Sequence, residues 1–565
     1  MKTGLRFRAL AEDLALELER GKYFYLAIFS IVFIGLTSLR ALAKPLWYDE
    51  LFTYYMSRLP GIRTIWSALK DGADLNPPLL YLATSAAHRM FGDGLLATRL
   101  PAILGFLTML VCLFVFVSRR CGASYGFAAM LLAALSGAYT FSYEARSYGM
   151  VLGFCGISLI TWQAAADRRR RFWALAGLGL SVGAALLTHC YAVLILLPLA
   201  AGEITRSFTR KRLDWHVWIA LIFGSCTAGV YLPLLAASHR LALDNVTFRP
   251  TLRVLIECYG MLIGPLAGPV LLALAVVVVS RSSGGESPAG RPILQGFKFY
   301  EIVAALTLVF IPVVALLIAI FVSHVFMPRY GLAAVIGFSI LFAWFAREYT
   351  ADRRITGAVV SYLFAFWFIG GFALWMMGTA HLKAAASSHA GPPAAYEIPL
   401  ELVKPDLPFV AANGLFFLEA DHYAPPSFVS RLVYLADTAS AVRYTGSDVF
   451  DRGFPTMQKW FPIRAHVESY ATFTRQHRRF LVFGSFDHPL AWVTRKLLDD
   501  GVELRFLGQY PGAYGENLLL EAIMPDAGTQ FDAGARSRNR LLGLGVDSKQ
   551  VLPVTSPALS MRESR

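Results

Sequence analysis

Charged residues are scarce. Asp, Glu, Lys and Arg make up 16% of the 565 residues, against roughly 25% in ordinary soluble domains. Cysteine is scarce as well: the six cysteines fall at 112, 121, 155, 190, 226 and 258, and none follows. No Cys-x-x-Cys pair and no Cys/His zinc spacing is present, which excludes a disulfide framework and a metal finger. The first twenty residues lack the short apolar core and small-residue cleavage site of a secretory signal. They mix Arg6, Arg8 and Arg20 with Glu12, Asp13, Glu17 and Glu19, a pattern that predicts a retained cytoplasmic helix over 1–22. No internal repeat is evident.

What the chain has instead is hydrophobicity, 56% of its residues. Apolar runs of about 18 residues or more recur through the first two thirds, each able to cross a hydrocarbon core about 30 Å thick. Spanning backbone must satisfy its own polar groups, so these runs are predicted to be helices. The spans fall near 23–43, 95–117, 122–141, 147–165, 172–188, 190–205, 215–237, 253–280, 299–322, 330–346 and 356–378, about eleven in all. The net charge of +14 is compatible with nucleic acid binding, but the basic residues cluster in short loops between apolar runs. Arg119 and Arg120, Arg168 to Arg171, the Arg206 to Arg212 cluster, the 281–298 loop and Arg347 to Arg354 all fall on one side. That asymmetry predicts a cytoplasmic N-terminus, with anionic lipid headgroups as the partner of the positive charge.

The stretch 51–91 resists this pattern. Its Pro77-Pro78-Leu79-Leu80-Tyr81 run continues for only about 14 residues before Gly92, short for a crossing. If 78–91 spanned, every later basic loop would change sides. We therefore read 51–70 and 78–91 as interfacial helices within one long outer loop. Beyond the membrane region at 23–378, residues 379–404 are rich in Ala, Ser, His, Gly and Pro and read as a linker. Short apolar runs at 409–418, 431–435, 480–483, 504–507 and 518–523, with a helical pattern at 489–499, predict a soluble α/β domain over 405–525 on the periplasmic side. The tail at 526–565 has a disordered composition. The expected fold is thus an all-α polytopic membrane protein carrying a C-terminal α/β domain.

On this topology several polar side chains share the outer face. Asp49 and Glu50 leave the first span, Glu144, Arg146 and Tyr148 follow the third, His189 sits at a turn, and Arg329 and Tyr330 lie at another. Each has a plainer reading. Arg146 has Glu144 as a neighbour to pair with, His189 suits a satisfied turn, and Arg329 suits a snorkelling helix start. Asn76-Pro77-Pro78 suits a simple helix start, and Glu419, Asp421 and His422 read as a solvated loop rather than a metal site. Taken together, carboxylates, a histidine and fixed cations at the bilayer surface suit group transfer from a membrane-embedded phosphate ester to an acceptor hydroxyl. A carboxylate takes the acceptor proton, and guanidinium groups hold the departing phosphate bidentately.

Trp47-Tyr48-Asp49-Glu50, Pro77-Pro78-Leu79-Leu80-Tyr81, Arg99-Leu100-Pro101, Tyr143-Glu144-Ala145-Arg146-Ser147-Tyr148 and Pro328-Arg329-Tyr330 together resemble the GT-C glycosyltransferases. The similarity is to their bacterial protein-mannosyltransferase-like branch, which includes the lipid A aminoarabinose transferase and the rhizobial lipopolysaccharide galacturonosyltransferases. The resemblance implies a polyprenyl-phosphate sugar donor and inverting transfer at the periplasmic face of the inner membrane, to a lipid, glycan or protein acceptor. It implies Asp49 as base with Glu50 beside it, and Glu144 as the acidic residue of the second outer loop. Arg329 is implied near the donor phosphate, with Arg146, Tyr330, Tyr148 and His189 as its companions. The second loop holds a single Glu where some branches pair two acids on a metal, so no obligatory metal is expected. Asn76 stands where some relatives carry a Lys. A transporter or flippase for a lipid-linked or anionic solute is the rival reading.

Overall fold

The computed structural model describes residues 12–238, 249–282, 296–350, 354–386, 406–486, 488–512 and 515–525. The predicted tail at 526–565, most of the linker and residues 1–11 lie outside them. The chain divides into two compact units, one within the first 392 residues and one in the C-terminal part.

In the first unit, helices occupy all the segments expected to span. Seven are long and apolar enough to cross a membrane: Lys22–Ala43, Leu95–Cys121, Tyr148–Ala166, Cys190–Arg210, Trp215–Leu234, Leu252–Arg281 and Arg354–Thr379. An eighth is a pair, Phe299–Val309 and Ile311–Ser323, bent by 49°. Pro312 in the first turn of the second half lacks the N–H that would continue the hydrogen-bond ladder, which accounts for the bend. The other three segments are shorter helices, Ala123–Leu135, Arg171–Leu186 and Ala334–Tyr349. The 13 residues of the first reach about 20 Å at 1.5 Å per residue. Beyond them Ser136 turns extended, and a 3-10 turn at Gly137–Ser142 carries the chain onward. The last span runs on to Ala386, so the first eight residues of the predicted linker are helical.

Charge separates the two ends of this bundle. At one end Glu19 accepts from the backbone N–H groups of Ala123 and Ser124, both at 3.0 Å, placing a carboxylate on a helix N-terminus where its charge is favoured. Beside that helix start, Arg120 holds Glu301 at 2.6 Å and Asp167 at 3.0 Å, and Lys298 reaches Asp167 at 2.8 Å. At the other end of the first span, Lys44 pairs with Glu144 at 3.0 Å. The first span, 22 residues long, separates these ends by about 33 Å. Glu144 and the loop around it therefore lie across the bundle from Arg119 and Arg120.

Helix Tyr148–Ala166 packs along Leu95–Cys121 through glycine. A Cβ added to Gly105 would meet the Gly149 carbonyl carbon at 2.6 Å, one on Gly153 would meet the Gly105 oxygen at 2.5 Å, and one on Gly149 would strike the Ala102 carbonyl. Gly149 and Gly153 are four residues apart, a spacing that lets membrane helices approach to backbone contact. This contact sets the height of Arg146 and Tyr148 over the bundle.

The second unit is a mixed sheet with helices. Its strands are β1 Phe409–Ala411, β2 Leu432–Ala436, β3 His466–Ser469, β4 Arg479–Gly484, β5 Glu503–Gly512 and β6 Gly515–Ile523. The spatial order is β3-β2-β1-β4-β6-β5. β1 to β4 run parallel and β5 and β6 antiparallel, with Val410, Val433, Val482, Trp492 and Leu520 among the core residues. The loop expected at Glu419, Asp421 and His422 is instead part of a helix, Gly414–Tyr423. Glu419 and Asp421 are buried there, and Asp421 accepts from the backbone N–H groups of Arg464 and Ala465 at 2.9 and 2.8 Å.

Replacing Gly149 by Leu forces bulk against the Ala102 carbonyl. Overpacking of this kind costs about 1–3 kcal/mol, so thermal unfolding of the detergent-solubilised G149L protein is expected several degrees below wild type. An unchanged midpoint would refute the close contact.

Candidate active site

Adjacent residues on a helix point about 100° apart, and Asp49 and Glu50 open the helix Tyr48–Ser57. Two neighbouring carboxylates therefore face different surroundings. Glu50 is fully buried. Its two oxygens receive Arg99 Nε at 2.7 Å and Nη2 at 2.6 Å, its Oε1 also takes the Ala145 N–H at 2.6 Å, and its Oε2 reaches back to the Trp47 N–H at 3.3 Å. The rest of the Arg99 fork donates to the carbonyls of Ala41, of Lys44 at 2.7 Å and of Pro45 at 2.9 Å, groups that the end of the first span leaves unpaired. With every lone pair engaged and no path to solvent, Glu50 is a brace. That setting, buried and fully paired, differs from the solvent-facing position expected for it beside Asp49.

Asp49 points the other way. Its Oδ2 lies 3.0 Å from Arg329 Nη1 and 3.8 Å from Arg146 Nε, while Arg146 Nη1 donates to the Asp49 carbonyl at 2.9 Å. Arg146 does not turn to the Glu144 carboxylate two residues away; its second acidic neighbour is Asp74, 3.9 Å from Nη1. Burial works against the Arg146 charge, but Asp49 and Asp74 outweigh it and raise the pKa. Arg329 follows the same pattern, with burial opposed by Tyr148 and Asp49. The Nε atoms of both arginines and Asp49 Oδ2 are buried and make no hydrogen bond. Buried charged groups seldom stay unsatisfied, so the cluster has capacity for an anion.

An aromatic wall stands beside the arginines. Arg329 lies 5.7 Å over the Tyr148 ring, the His189 ring is 5.3 Å from Tyr148 and 5.8 Å from Tyr330, and Tyr330 stacks on Tyr191 at 4.0 Å. Burial, with Arg146 and Arg329 nearby, drives the His189 pKa down to about 3. Its Nδ1 accepts the Tyr191 N–H at 3.1 Å, which leaves the proton on Nε2. His189 is thus a neutral donor rather than a cation. Below this wall a cleft of about 40 Å³ has His189, Arg329 and Tyr330 at its polar side and Leu152, Leu194 and Ile311 among its apolar sides.

Glu144 is held by Lys44 and does not join the Asp49 cluster; burial raises its pKa against the pull of Lys44. Asp74 and Tyr81 were not anticipated. Asp74 accepts from Tyr81 Oη at 2.7 Å, and from the Leu75 N–H and Asn76 Nδ2 at 2.6 and 3.2 Å. The available signal was an acid two residues before Asn76-Pro77-Pro78, in the loop already assigned to the outer face.

The segment 75–230 matches the model of a family described as dolichyl-phosphate-mannose-protein mannosyltransferase. Over that segment the chain is similar to this family. The match agrees with the resemblance drawn from the short motifs; Asp49 and Arg329 lie outside the matched residues. Two solved structures are also similar. ArnT from Cupriavidus metallidurans in the apo state has 12% identity, with 90% of this chain and 99% of that chain covered and a TM-score of 0.48. The same protein bound to undecaprenyl phosphate has 13% identity, the same coverage and a TM-score of 0.47. No curated protein sequence matches the chain.

The two carboxylates should separate experimentally. Glu50→Ala strands a buried Arg99 and is expected to cost about 3–5 kcal/mol, whereas Asp49→Asn keeps the shape of a partly solvated group and costs much less. Denaturant unfolding of both variants in micelles checks this, and equal stabilities would remove the brace assignment.

Proposed function

We propose that the protein is an inverting glycosyltransferase, moving a monosaccharide from a polyprenyl-phosphate donor to an acceptor hydroxyl at the periplasmic membrane face. The observation that carries this reading is one carboxylate oxygen, Asp49 Oδ2, set against two arginines whose Nε atoms are buried and unbonded, beside an apolar-walled cleft. The family matched over 75–230 is described as dolichyl-phosphate-mannose-protein mannosyltransferase, and the site has the parts that transfer from a lipid-linked phosphate donor requires. A phosphate receives bidentate guanidinium contacts, a neutral imidazole supplies one more N–H, and the lipid tail follows the apolar wall.

In an inverting displacement the base and the anion clamp flank the reacting carbon from opposite sides. At 3.0 Å Asp49 and Arg329 leave no room between them, so donor binding has to exchange partners. The donor phosphate takes over Arg329, and Asp49 is released toward the acceptor. In the transfer step the acceptor O–H gives its proton to Asp49, the new C1–O bond forms on one face of the sugar, and the C1–O bond to phosphate breaks on the other. The leaving group departs as polyprenyl phosphate, with its new negative charge on Arg329 and Arg146. Stabilising charge as it develops is a large term in such sites. This reading assigns no step to Glu144 and none to a metal.

Asp49→Asn is expected to lower transfer by about 10²–10⁴-fold while donor binding persists, read as radiolabelled sugar transferred by membranes carrying each variant. An active D49N enzyme would remove the base assignment. Because the His189 ring is neutral through pH 5–8, His189→Gln is expected to reduce the rate without changing the shape of the pH profile over that range. Loss of an ionisation in that window would contradict the neutral-donor role.

A further inference from the structure

A second cationic position lies in the first span itself. Arg40 is in its last turn, on the side facing the last span. Its guanidinium sits 5.3 Å over Tyr139, 6.0 Å over Tyr143, 5.8 Å over Phe372 and 5.0 Å over Trp375. Tyr139 is fixed by a hydrogen bond to Thr37, 3.1 Å away. Arg40 Nε is buried and makes no hydrogen bond, and no acidic side chain among the described residues pairs with Arg40. The buried arginines named so far each have a carboxylate partner, whereas Arg40, half-buried, has none among the described residues. One turn further on, Lys44 is already held by Glu144 at 3.0 Å, so the nearest acid is committed elsewhere.

A snorkelling arginine sends its head to water. Here four rings stand against a half-buried head. Aromatic faces compensate part of the lost hydration of a cation, but they do not supply the hydrogen-bond acceptor that the buried Nε lacks. The missing partner is an anion with oxygen acceptors at headgroup level. Beneath Arg40 the first and last spans meet through rings, Phe29 and Phe33 against Phe368 at 6.3 and 6.5 Å. Gly371, three residues on from Phe368, faces open space within 4 Å. A charged head lies above a ring-floored gap whose outer sides carry the exposed Leu39, Leu42, Leu374 and Met377. Acyl chains fit such a gap.

We infer that the cleft between the first and last spans binds the phosphate of an anionic membrane phospholipid on Arg40, separately from the Arg146 and Arg329 cluster. The test uses the full-length protein released from the membrane in mild detergent and examined by native mass spectrometry. Phosphatidylglycerol, phosphatidylcholine and inorganic phosphate are titrated in separate arms. Phosphatidylglycerol is expected to bind at least about tenfold more tightly than phosphatidylcholine, and Arg40→Gln to abolish that preference. Gly371→Leu fills the gap without touching the cation and is expected to weaken phosphatidylglycerol binding while leaving the thermal midpoint in place. Equal binding of the two lipids, or an undiminished preference in R40Q, overturns the inference. So does displacement of phosphatidylglycerol by millimolar inorganic phosphate, which would make this a site for the free anion.

Discussion

The buried pair between Glu50 and Arg99 is the constraint on which the end of the bundle that carries Asp49 depends. Arg99 gathers the carbonyls at the end of the first span with Nη1 and Nη2 and holds Glu50 with Nε and Nη2. Glu50 in turn draws in the backbone at Ala145. One ion pair thereby ties together the end of the first span, the start of the helix Tyr48–Ser57, the helix Leu95–Cys121 and the loop that carries Arg146. Such a pair need not add net stability, since desolvating both charges offsets most of their attraction. Its effect is on position. By fixing the rotation of Tyr48–Ser57, it directs Asp49, one residue earlier, toward Arg146 and Arg329.

Ion pairs at the two ends of the bundle serve different ends. At the basic end Arg120, Glu301, Asp167 and Lys298 satisfy one another, as do Arg206, Glu203 and Asp214 at 2.6 and 3.1 Å. These networks close on themselves and lock helix termini together. At the opposite end the pairing is incomplete: Asp49 Oδ2, Arg146 Nε and Arg329 Nε have no hydrogen-bond partner. Incomplete satisfaction costs free energy, and in the reading proposed above an anionic ligand relieves it here.

The membrane fold was legible because its signals are collective. Long apolar runs and lopsided basic loops persist over hundreds of residues, so local exceptions do not erase them. The break at Ser136 was not legible, because the chain there yields to packing: a Cβ on Gly137 would collide with the Met261 carbonyl, a contact 124 residues distant in the chain. The company of Asp49, Arg146 and Arg329 was readable from shared sidedness alone. Which of two adjacent carboxylates reaches the cluster was not, since that follows from a helix rotation set by Arg99. In the C-terminal unit, Asp421 looked solvated because its partners, the N–H groups of Arg464 and Ala465, are 43 and 44 residues on in the chain. β3 escaped notice because its four residues have no apolar run, its ends His466 and Ser469 being exposed.

The outer cluster is also balanced in charge, and the balance bears on how it would work. Asp49 and Asp74 stand against Arg146 and Arg329, so the resting site has no surplus positive charge to trap phosphate permanently. A surplus appears only when a carboxylate is neutralised. In the reaction proposed, the proton from the acceptor arrives on Asp49, which in the resting site lies 3.0 and 3.8 Å from the two guanidinium groups, as the phosphate oxygen gains a full charge. One negative charge disappears beside the arginines when another forms, and their field transfers from carboxylate to phosphate without either arginine having to travel far. The same exchange run backward would weaken the hold on the product: once Asp49 loses its proton, it competes again for Arg329, and the lipid phosphate is released from a site that has returned to neutrality.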